Sequence, residues 1–213
     1  MGYSVKELFH TLQGEGLNAG RAAVFLRFSG CNLWSGREAD RAKGSGGCSL
    51  WCDTDFVGTN GPGGGKFESS ESLAQAVLMT WGVRAGPRLV VCTGGEPLLQ
   101  LDEPAIEALH ARGFEVAVET NGTKAVPEGI DWLCVSPKAG APLVVTAGDE
   151  LKLVYPQPEL PPETFAGLAF RYRLLQPMDG LQKAENTRAA VAYCLAHPEW
   201  RLGLQTHKLL GIP

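Results

Sequence analysis

The sequence predicts an α/β fold, in the form of a partial, trimmed TIM-like β/α barrel. Apolar runs of strand length alternate with helical patterns, which is typical of a mostly parallel sheet covered by helices. These runs are apolar almost throughout, as expected for strands that are buried on both faces. The chain has 213 residues, whereas a complete eight-stranded barrel usually needs about 250. A partial barrel therefore fits the length better than a complete one.

Seven segments carry the strand pattern. Each is rich in apolar, β-branched or aromatic residues and has about the length of a strand. In chain order they are residues 22–28, 89–93, 115–119, 132–136, 150–155, 169–175 and 201–205. No strand is predicted before residue 22.

Three helices are predicted between these strands. Ser72 and Gln75 form a capping box at the start of the first helix. Asp102 caps the second helix, which ends at Gly113. The third helix covers about residues 186–196.

Charge and hydropathy exclude several classes of protein. The chain has 19 Lys and Arg against 23 Asp and Glu, a net charge of −4. Its basic residues form no long run, so nucleic acid is not expected as a direct partner. The longest apolar runs, such as residues 89–92, are far below the roughly 18 residues that indicate a membrane span, so we expect a cytoplasmic protein without membrane contact. No internal repeat is visible, which favours one domain over residues 1–213.

Two glycine patterns look like nucleotide-binding motifs. Residues 14–19 have the spacing of G-x-G-x-x-G/A. No strand is predicted before them and a strand rather than a helix follows, so a dinucleotide site is excluded. Residues 61–66 look like a phosphate loop, but Asn60 replaces its first glycine and Phe67 replaces the required Ser or Thr. We predict a flexible surface loop there.

The six cysteines fall into two groups. Cys92, Cys134 and Cys194 lie in predicted strands or on a helix, where a free thiol is usually an inert core residue. The other three, Cys31, Cys48 and Cys52, lie in one Gly- and Ser-rich region after the first predicted strand. Three thiolates do not complete a structural zinc site, but they suit a [4Fe–4S] cluster with one open iron. On spacing alone, a chance grouping in a mobile loop is an equal alternative.

Several short motifs together resemble a known family. They are Leu-Gln-Gly-Glu-Gly at 12–16, Arg-Phe-Ser-Gly-Cys-Asn-Leu-Trp at 27–34, Cys-Asp-Thr-Asp at 52–55, Cys-Thr-Gly-Gly-Glu-Pro at 92–97, Glu-Thr-Asn-Gly at 119–122 and Ser-Pro-Lys at 136–138. This set resembles the radical S-adenosylmethionine (SAM) superfamily and, within it, the 7-carboxy-7-deazaguanine synthases. The resemblance extends from residue 3 to residue 213 and implies a barrel of the radical SAM type.

The resemblance implies the cofactors and their ligands. Cys31, Cys48 and Cys52 would bind a [4Fe–4S] cluster on a loop of about residues 29–56, and SAM would bind the open iron. Three residues separate Cys48 from Cys52, whereas the family normally has two. Thr54 would bind Mg²⁺. The implied SAM-binding residues are Trp51, Asp53, Gly94, Gly95, Glu96, Ser136, Pro137, Lys138, Gln176, Pro177, Met178 and Asp179.

A second group of residues is implied to bind the substrate. Arg27 projects from an apolar strand and offers a bidentate fork for a carboxylate; from the residues alone, an ion pair inside the barrel explains it equally well. The resemblance assigns a tail of about residues 206–213 to close the site, with its terminal carboxylate inside. The implied substrate-binding residues are Leu12, Gln13, Gly14, Glu15, Arg27, Thr93, Glu119, His207 and Pro213.

The resemblance also implies the reaction. A 5′-deoxyadenosyl radical would abstract hydrogen from 6-carboxy-5,6,7,8-tetrahydropterin, and loss of ammonia would give 7-carboxy-7-deazaguanine for queuosine biosynthesis, with SAM regenerated. This makes the chain a lyase, with a flavodoxin-like electron donor and a homodimeric state expected. Two alternatives stay open: an activase that forms a glycyl radical on a partner protein, and a zinc-binding interaction module.

Overall fold

A computed structural model describes residues 2–213 and is built around one nine-stranded sheet. The strands are β1 (Tyr3–Leu12), β2 (Ala22–Phe28), β3 (Gly65–Phe67), β4 (Arg88–Gly94), β5 (Phe114–Thr120), β6 (Trp132–Val135), β7 (Ala147–Tyr155), β8 (Ala169–Pro177) and β9 (Trp200–Leu202). The helices are α1 (Ser70–Trp81), α2 (Glu103–His110), α3 (Lys183–Ala196) and α4 (Thr206–Leu210).

The sheet is mostly parallel and open. Its strand order is β3-β1-β2-β4-β5-β6-β7-β8-β9. The strands from β2 through β4 to β9 pair in parallel, whereas β1 is antiparallel to both β2 and β3. The two edge strands, β3 and β9, do not pair with each other, so the barrel is not closed. The predicted partial β/α barrel is therefore confirmed, with the carboxyl ends of its parallel strands at one edge.

Helices bury the outer face of the sheet. On one half, α1 and α2 pack Leu73, Val77 and Leu109 onto β1, β2, β4 and β5. On the other half, Ala190 of α3 packs with Leu153 of β7 and its neighbours. The longest helix, α3, has 14 residues, and none of the helices in residues 2–213 is both long and apolar enough to span a membrane. The cytoplasmic location stays a prediction.

The first strand, β1, was not predicted from the sequence. Its polar residues mask the pattern, since Lys6 is buried although it is charged. The Lys6 ammonium is satisfied by the carbonyl of Val57 (3.0 Å), the amide oxygen of Asn60 (2.9 Å) and the carboxylate of Asp55 (2.8 Å). One reason for excluding a dinucleotide site, the lack of a strand before residue 14, is therefore wrong. The other reason holds, because strand β2 follows.

Two predicted boundaries also need correction. The N-cap of α1 is Ser69, and Ser72 is the third helical residue of the capping box: Ser72 N–H donates to Ser69 Oγ (3.1 Å) and Ser69 N–H donates to Ser72 Oγ (3.2 Å). The predicted strand 201–205 ends at residue 202 as β9. The Asp102 cap of α2 is as predicted, since its carboxylate accepts from Ala105 N–H at 3.1 Å.

The glycine-rich segment before β3 is a surface loop, but it is held against β1. Gly61 N–H donates to the Lys6 carbonyl (2.9 Å), and Leu8 N–H donates to the Pro62 carbonyl (2.7 Å). A Cβ atom at Gly64 would lie 2.2 Å from the Lys6 carbonyl oxygen. These glycines therefore allow close packing of two backbones, and they do not indicate the flexibility that we predicted.

Candidate active site

A cavity of about 860 Å³ opens at the carboxyl ends of the parallel strands. The segment between β2 and β3 and the segment after β9 both contribute to its walls. Of the predicted site residues, all except Glu96 and Pro137 line this cavity. They are Leu12, Gln13, Gly14, Glu15, Arg27, Cys31, Cys48, Trp51, Cys52, Asp53, Thr54, Thr93, Gly94, Gly95, Glu119, Ser136, Lys138, Gln176, Pro177, Met178, Asp179, His207 and Pro213.

The three cysteines of the long loop face this cavity as free thiols. Cys31 Sγ accepts a hydrogen bond from Leu33 N–H at 3.4 Å. Cys48 lies in the 3-10 turn 47–50, and Cys52 follows this turn, with its N–H donating to the Cys48 carbonyl at 2.7 Å. This hydrogen bond links the two cysteines within the loop, and both residues line the cavity.

Polar contacts hold the cysteine loop in place. The Arg41 guanidinium donates to the carbonyls of Ser49 (2.7 Å) and Cys52 (3.2 Å) and lies 4.9 Å from the ring centroid of Trp34. Gly47 N–H donates to the carbonyl of Ala139 at 2.8 Å. The position of the second and third thiols therefore depends on Arg41, which the sequence analysis did not identify.

The chemistry of the three thiols fits an iron–sulfur cluster. Burial raises the pKa of Cys48 to about 11, with Lys138 acting in the opposite direction, and burial also raises the pKa of Cys31. Thiols bind metal as thiolates, so cluster binding here would release protons. No three His, Cys, Asp or Glu side chains within residues 2–213 surround a point that could hold a single ion. A [4Fe–4S] cluster makes a different demand, because each thiolate binds its own iron.

The turn after β4 packs directly on the start of the cysteine loop. Glu96 N–H donates to the Gly30 carbonyl at 3.0 Å. A Cβ atom at Gly94 would lie 2.3 Å from the Phe28 carbonyl oxygen, and one at Gly95 would lie 2.3 Å from that of Gly30. These two glycines, implied to bind SAM, therefore admit the protein's own backbone on the side where a side chain would project, and both also line the cavity.

Glu96 organises this turn from inside the protein. It is fully buried, and burial raises the pKa of its carboxyl. The carboxylate accepts from Thr120 Oγ1 (2.7 Å), Asn121 N–H (2.8 Å) and Leu98 N–H (3.0 Å). Glu96 therefore joins the turn to the end of β5 and does not line the cavity. Pro137, also buried, lies between two residues that do line it.

Gln176 gives the cavity an unused acceptor. Its Oε1 is buried and has no hydrogen-bond partner in residues 2–213. An unsatisfied buried carbonyl is costly, so a ligand with a donor group would stabilise this side chain. The predicted SAM-binding role of Gln176 fits this observation, because SAM carries amino and hydroxyl donors.

Lys208 joins the tail to two carboxylates at the cavity rim. Its ammonium contacts Asp53 at 2.7 Å and Asp179 at 2.6 Å. The hydrogen bond from Lys208 lowers the pKa of Asp179 to about 2. Both carboxylates were predicted to contact SAM; here each of them also anchors α4, which is a role that the sequence analysis missed.

The rest of the tail is attached to the end of β1. Thr206 N–H donates to the Gly14 carbonyl (2.8 Å), and Thr11 Oγ1 donates to the carbonyl oxygen of Pro213 (2.9 Å). A Cβ atom at Gly14 would lie 2.2 Å from Nδ1 of His207. Gly14 is thus required for contact with the tail, and the tail brings His207 and Pro213 to the cavity.

Arg27 forms the predicted ion pair and also lines the cavity. Its Nε donates to Oε1 of Glu7 at 2.7 Å, which is the predicted ion pair. Its two Nη groups have no hydrogen-bond acceptor within residues 2–213, and the side chain lines the cavity. The guanidinium is therefore oriented through one nitrogen while two others can bind a carboxylate.

Eight further polar residues of the cavity were missed from the sequence: Glu7, Arg41, Asp55, Thr120, Asn121, Lys152, Gln205 and Lys208. Lys152 had a visible signal, because it is a charged residue in a predicted apolar strand, as Arg27 is. Gln205 stands at the end of a predicted strand, and the other six lie in segments without a strand or helix prediction, where sequence periodicity offers no indication of direction.

Comparison with known proteins decides the family. The chain is 65% identical to the 7-carboxy-7-deazaguanine synthase of Caulobacter vibrioides over 213 residues, which are 100% of both chains. The protein of the same name from Bordetella pertussis is 63% identical over 213 residues, again 100% of both. The chain belongs to the 7-carboxy-7-deazaguanine synthase family. The resemblance inferred from the short motifs is therefore confirmed.

A solved structure supports the same family. The crystal structure of QueE from Escherichia coli matches with a TM-score of 0.70 at 30% identity, over 96% of this chain and 94% of that one. No family model matches the chain. The nine-stranded open sheet is thus the barrel of a 7-carboxy-7-deazaguanine synthase.

Proposed function

We propose that this chain converts 6-carboxy-5,6,7,8-tetrahydropterin to 7-carboxy-7-deazaguanine with loss of ammonia, as a radical SAM enzyme of queuosine biosynthesis that regenerates SAM. One observation carries the proposal: a chain 65% identical to a synthase of this name brings three free cysteines and Arg27 to one cavity. The enzyme is a carbon–nitrogen lyase, and its substrate is a small molecule.

Cys31, Cys48 and Cys52 would hold the [4Fe–4S] cluster. When bound, the cluster and SAM supply a carbon-centred radical for abstraction of hydrogen from the substrate. Arg41 keeps the turn of Cys48 and Cys52 in position through its two carbonyl contacts. The role of the chain is to position these groups and to exclude side reactions, since the radical chemistry belongs to the cofactors.

The SAM-binding residues lie along the strand ends from β4 to β8. The Gly94–Gly95 turn and the 136–138 segment face the cavity beside the cysteine loop, and Gln176 accepts a donor of SAM at its unpaired Oε1. Trp51 offers a ring surface to the adenine, with the Lys138 ammonium 5.6 Å from its centroid.

The substrate carboxylate binds at Arg27. Glu7 fixes the guanidinium through Nε, so Nη1 and Nη2 stay available for a bidentate pair. Thr93 is the register partner of Arg27 on the neighbouring strand and adds a hydroxyl to the same wall. Holding the substrate in one orientation is the main contribution that such residues make to the rate.

The tail closes the site over the substrate. Thr206 and Pro213 are bonded to the end of β1, and Lys208 is bonded to the opposite rim. This arrangement supports a role for His207 and Pro213 in contacting the substrate and for the tail in restricting the access of water.

Several finer assignments belong to the same proposal. Thr54 binds Mg²⁺ together with substrate oxygens; its hydroxyl lines the cavity, and Mg²⁺ prefers oxygen ligands. A flavodoxin-like protein supplies the electron, and the enzyme acts as a homodimer. Residues 1–213 form one domain, with the cluster loop at about 29–56 and the closing tail at about 206–213.

The test is anaerobic reconstitution with iron and sulfide, followed by incubation with SAM, a reductant, Mg²⁺ and the tetrahydropterin. We expect 7-carboxy-7-deazaguanine and ammonia in equal amounts, without stoichiometric consumption of SAM. A matched sample without Mg²⁺ should turn over more slowly. Protein that contains its full iron but forms no deazaguanine would contradict the proposal.

A further inference from the structure

Lys152 is a buried ammonium group in the wall of the cavity. It lies on β7 and is only 4% exposed. Its Nζ contacts Oε2 of Glu15 at 2.5 Å and Oε2 of Glu119 at 2.9 Å. One cation therefore joins two carboxylates that come from the loop after β1 and from β5.

Two glutamines complete a network around these charges. Gln13 Nε2 donates to Oε1 of Glu119 (2.9 Å), and Gln205 Nε2 donates to Oε1 of Glu15 (2.9 Å). The amide oxygen of Gln13 accepts from Glu15 N–H at 3.0 Å. Each carboxylate thus has one oxygen on Lys152 and the other on an amide, so neither can rotate without breaking a bond.

Lys152 and Glu15 stabilise each other's charged forms. Burial alone would lower the pKa of Lys152, but the charges of Glu119 and Glu15 hold it well above its usual value. Burial would raise the pKa of Glu15, but Lys152 lowers it to about 2. Two carboxyl groups therefore face one ammonium group in this wall of the cavity.

Glu119 keeps acceptor capacity for a ligand. An ionised carboxylate has about four lone-pair sites, and Gln13 and Lys152 use two of those on Glu119. The side chain is 22% exposed and lines the cavity. N–H donors of a bound molecule can therefore pair with it.

The position of Glu119 complements that of Arg27. Arg27 on β2 pairs with Thr93 on β4. Cys92 on β4 pairs with Val118 on β5, so the next residue on each strand, Thr93 and Glu119, lies at the same level of the sheet as Arg27. Neighbouring strands are about 4.8 Å apart, so two strand spacings separate the backbones of Arg27 and Glu119 by about 10 Å. Because both residues line the cavity, it presents a guanidinium on one side and a carboxyl group on the other, which complement a molecule with a carboxylate at one end and N–H donors at the other.

We propose that Lys152 is a positioning residue that fixes Glu119 to accept the N–H donors of the substrate's aminopyrimidinone ring, and that it thereby sets the preference for pterins over rings without the amino group. The inference rests on the proposed function, because it takes the carboxylated pterin as the ligand. Lys152 acts through Glu119 and does not itself bind the substrate.

The experiment compares equilibrium binding of two non-reactive ligands by fluorescence. One is 6-carboxypterin, and the other is 6-carboxylumazine, in which an oxo group replaces the amino group. We expect the wild-type protein to prefer the pterin by about tenfold or more, since a site with a buried polar group discriminates strongly against a missing donor. In Lys152→Met, the affinity for 6-carboxypterin should fall by about tenfold, and the ratio of the affinities for 6-carboxypterin and 6-carboxylumazine should decrease. The affinity for SAM should change less than twofold.

Two further variants keep the test informative if Lys152→Met does not fold. Lys152→Arg retains the cation and should retain the preference for the pterin. Glu119→Gln changes a partly exposed residue and should remove most of that preference. Adding Lys152→Met to Glu119→Gln should cost little more pterin affinity than Glu119→Gln alone, because both changes remove the same interaction.

Two results would overturn the inference: equal losses of pterin and SAM affinity in Lys152→Met, or an unchanged preference in Glu119→Gln. Turnover of the wild-type enzyme separates the two proposals. If the wild type forms no deazaguanine, the proposed function fails. If it does form the product and both Lys152→Met and Glu119→Gln keep the wild-type preference for the pterin, only the role of Lys152 fails.

Discussion

The two sides of the cavity are stabilised in different ways. The strand side rises from β2, β4 and β5, where Leu26, Val91 and Val118 are all fully buried. The covering side consists of the cysteine loop and the tail. Its two 3-10 turns, 38–43 and 47–50, bury only Cys48 and Ser49, and α4 buries no residue. Apolar burial stabilises the first side, whereas the second side combines hydrogen bonds and ion pairs with a small apolar group of Leu33, Trp34 and Phe56.

This difference separates folding from cofactor binding. We expect a change at a polar residue of the covering side to alter the site with little effect on the free energy of unfolding, because such a change removes little buried apolar surface. A change in the core under the strand side should lower the free energy of unfolding and leave the site of the folded protein unchanged. Four predictions test this separation, beginning with the largest expected effect on turnover.

Replacing a cluster ligand should abolish turnover without unfolding the protein. In Cys48→Ser, we expect loss of the bound iron and of all detectable product, because a hydroxyl is a poor iron–sulfur ligand. Iron analysis, product formation and thermal unfolding measure these effects. Cys194→Ser on α3 is the matched control and should keep its iron. Retention of the full iron content by Cys48→Ser would show that this thiol is not a ligand.

Residues added after Pro213 should impair turnover by about 100-fold, since a small misplacement of positioning groups has an effect of that order. Pro213 lines the cavity and is held by Thr11, so an extension would enter the site. The same residues placed before Gly2, which is exposed, serve as the control. Equal rates for the two extended proteins would remove Pro213 from the site.

Arg41→Met should weaken cluster retention by about tenfold to 100-fold, the range for groups that orient metal ligands. The substitution removes the bonds to Ser49 and Cys52. Iron release to a chelator measures the effect. Lys43→Met is the control, since Lys43 makes only an exposed ion pair with Asp40. If both variants release iron at the wild-type rate, Arg41 does not hold the loop.

Leu109→Ala should leave turnover per folded molecule unchanged and lower the free energy of unfolding by about 2–5 kcal/mol. Leu109 is fully buried between α2 and the sheet. Urea unfolding measures the loss in the free energy of unfolding. The iron content of the folded variant, measured at urea concentrations below the unfolding transition, is compared with that of the wild type. A loss of iron in folded Leu109→Ala would show that the two sides of the cavity are coupled.

The same contrast explains how much of the molecule could be predicted. Strands such as β4 and β5 are visible because buried residues are apolar in unbroken runs. Arg27 and Lys152 are visible as charges within such runs, although only Arg27 was identified. Strand β1 was not predicted, because the charged Lys6 interrupts its apolar pattern. Lys6 can be buried there only because a loop that is distant in sequence supplies its hydrogen-bond acceptors.

The covering side could be assigned only through the family resemblance. Nothing local relates Lys208 to Asp53, which is 155 residues away in the chain, or Arg41 to the carbonyls that it binds. Such contacts depend on the path of the loops, which no periodic pattern encodes.

The backbone contact between Gly95 and Gly30 also has a consequence for motion. The turn after β4 and the start of the cysteine loop meet through main-chain atoms, so no rotamer change can alter their separation. Thermal displacement moves the two segments together as one unit. Fluctuations of the flexible side chains around the cavity therefore leave the spacing between Cys31 and the turn unchanged.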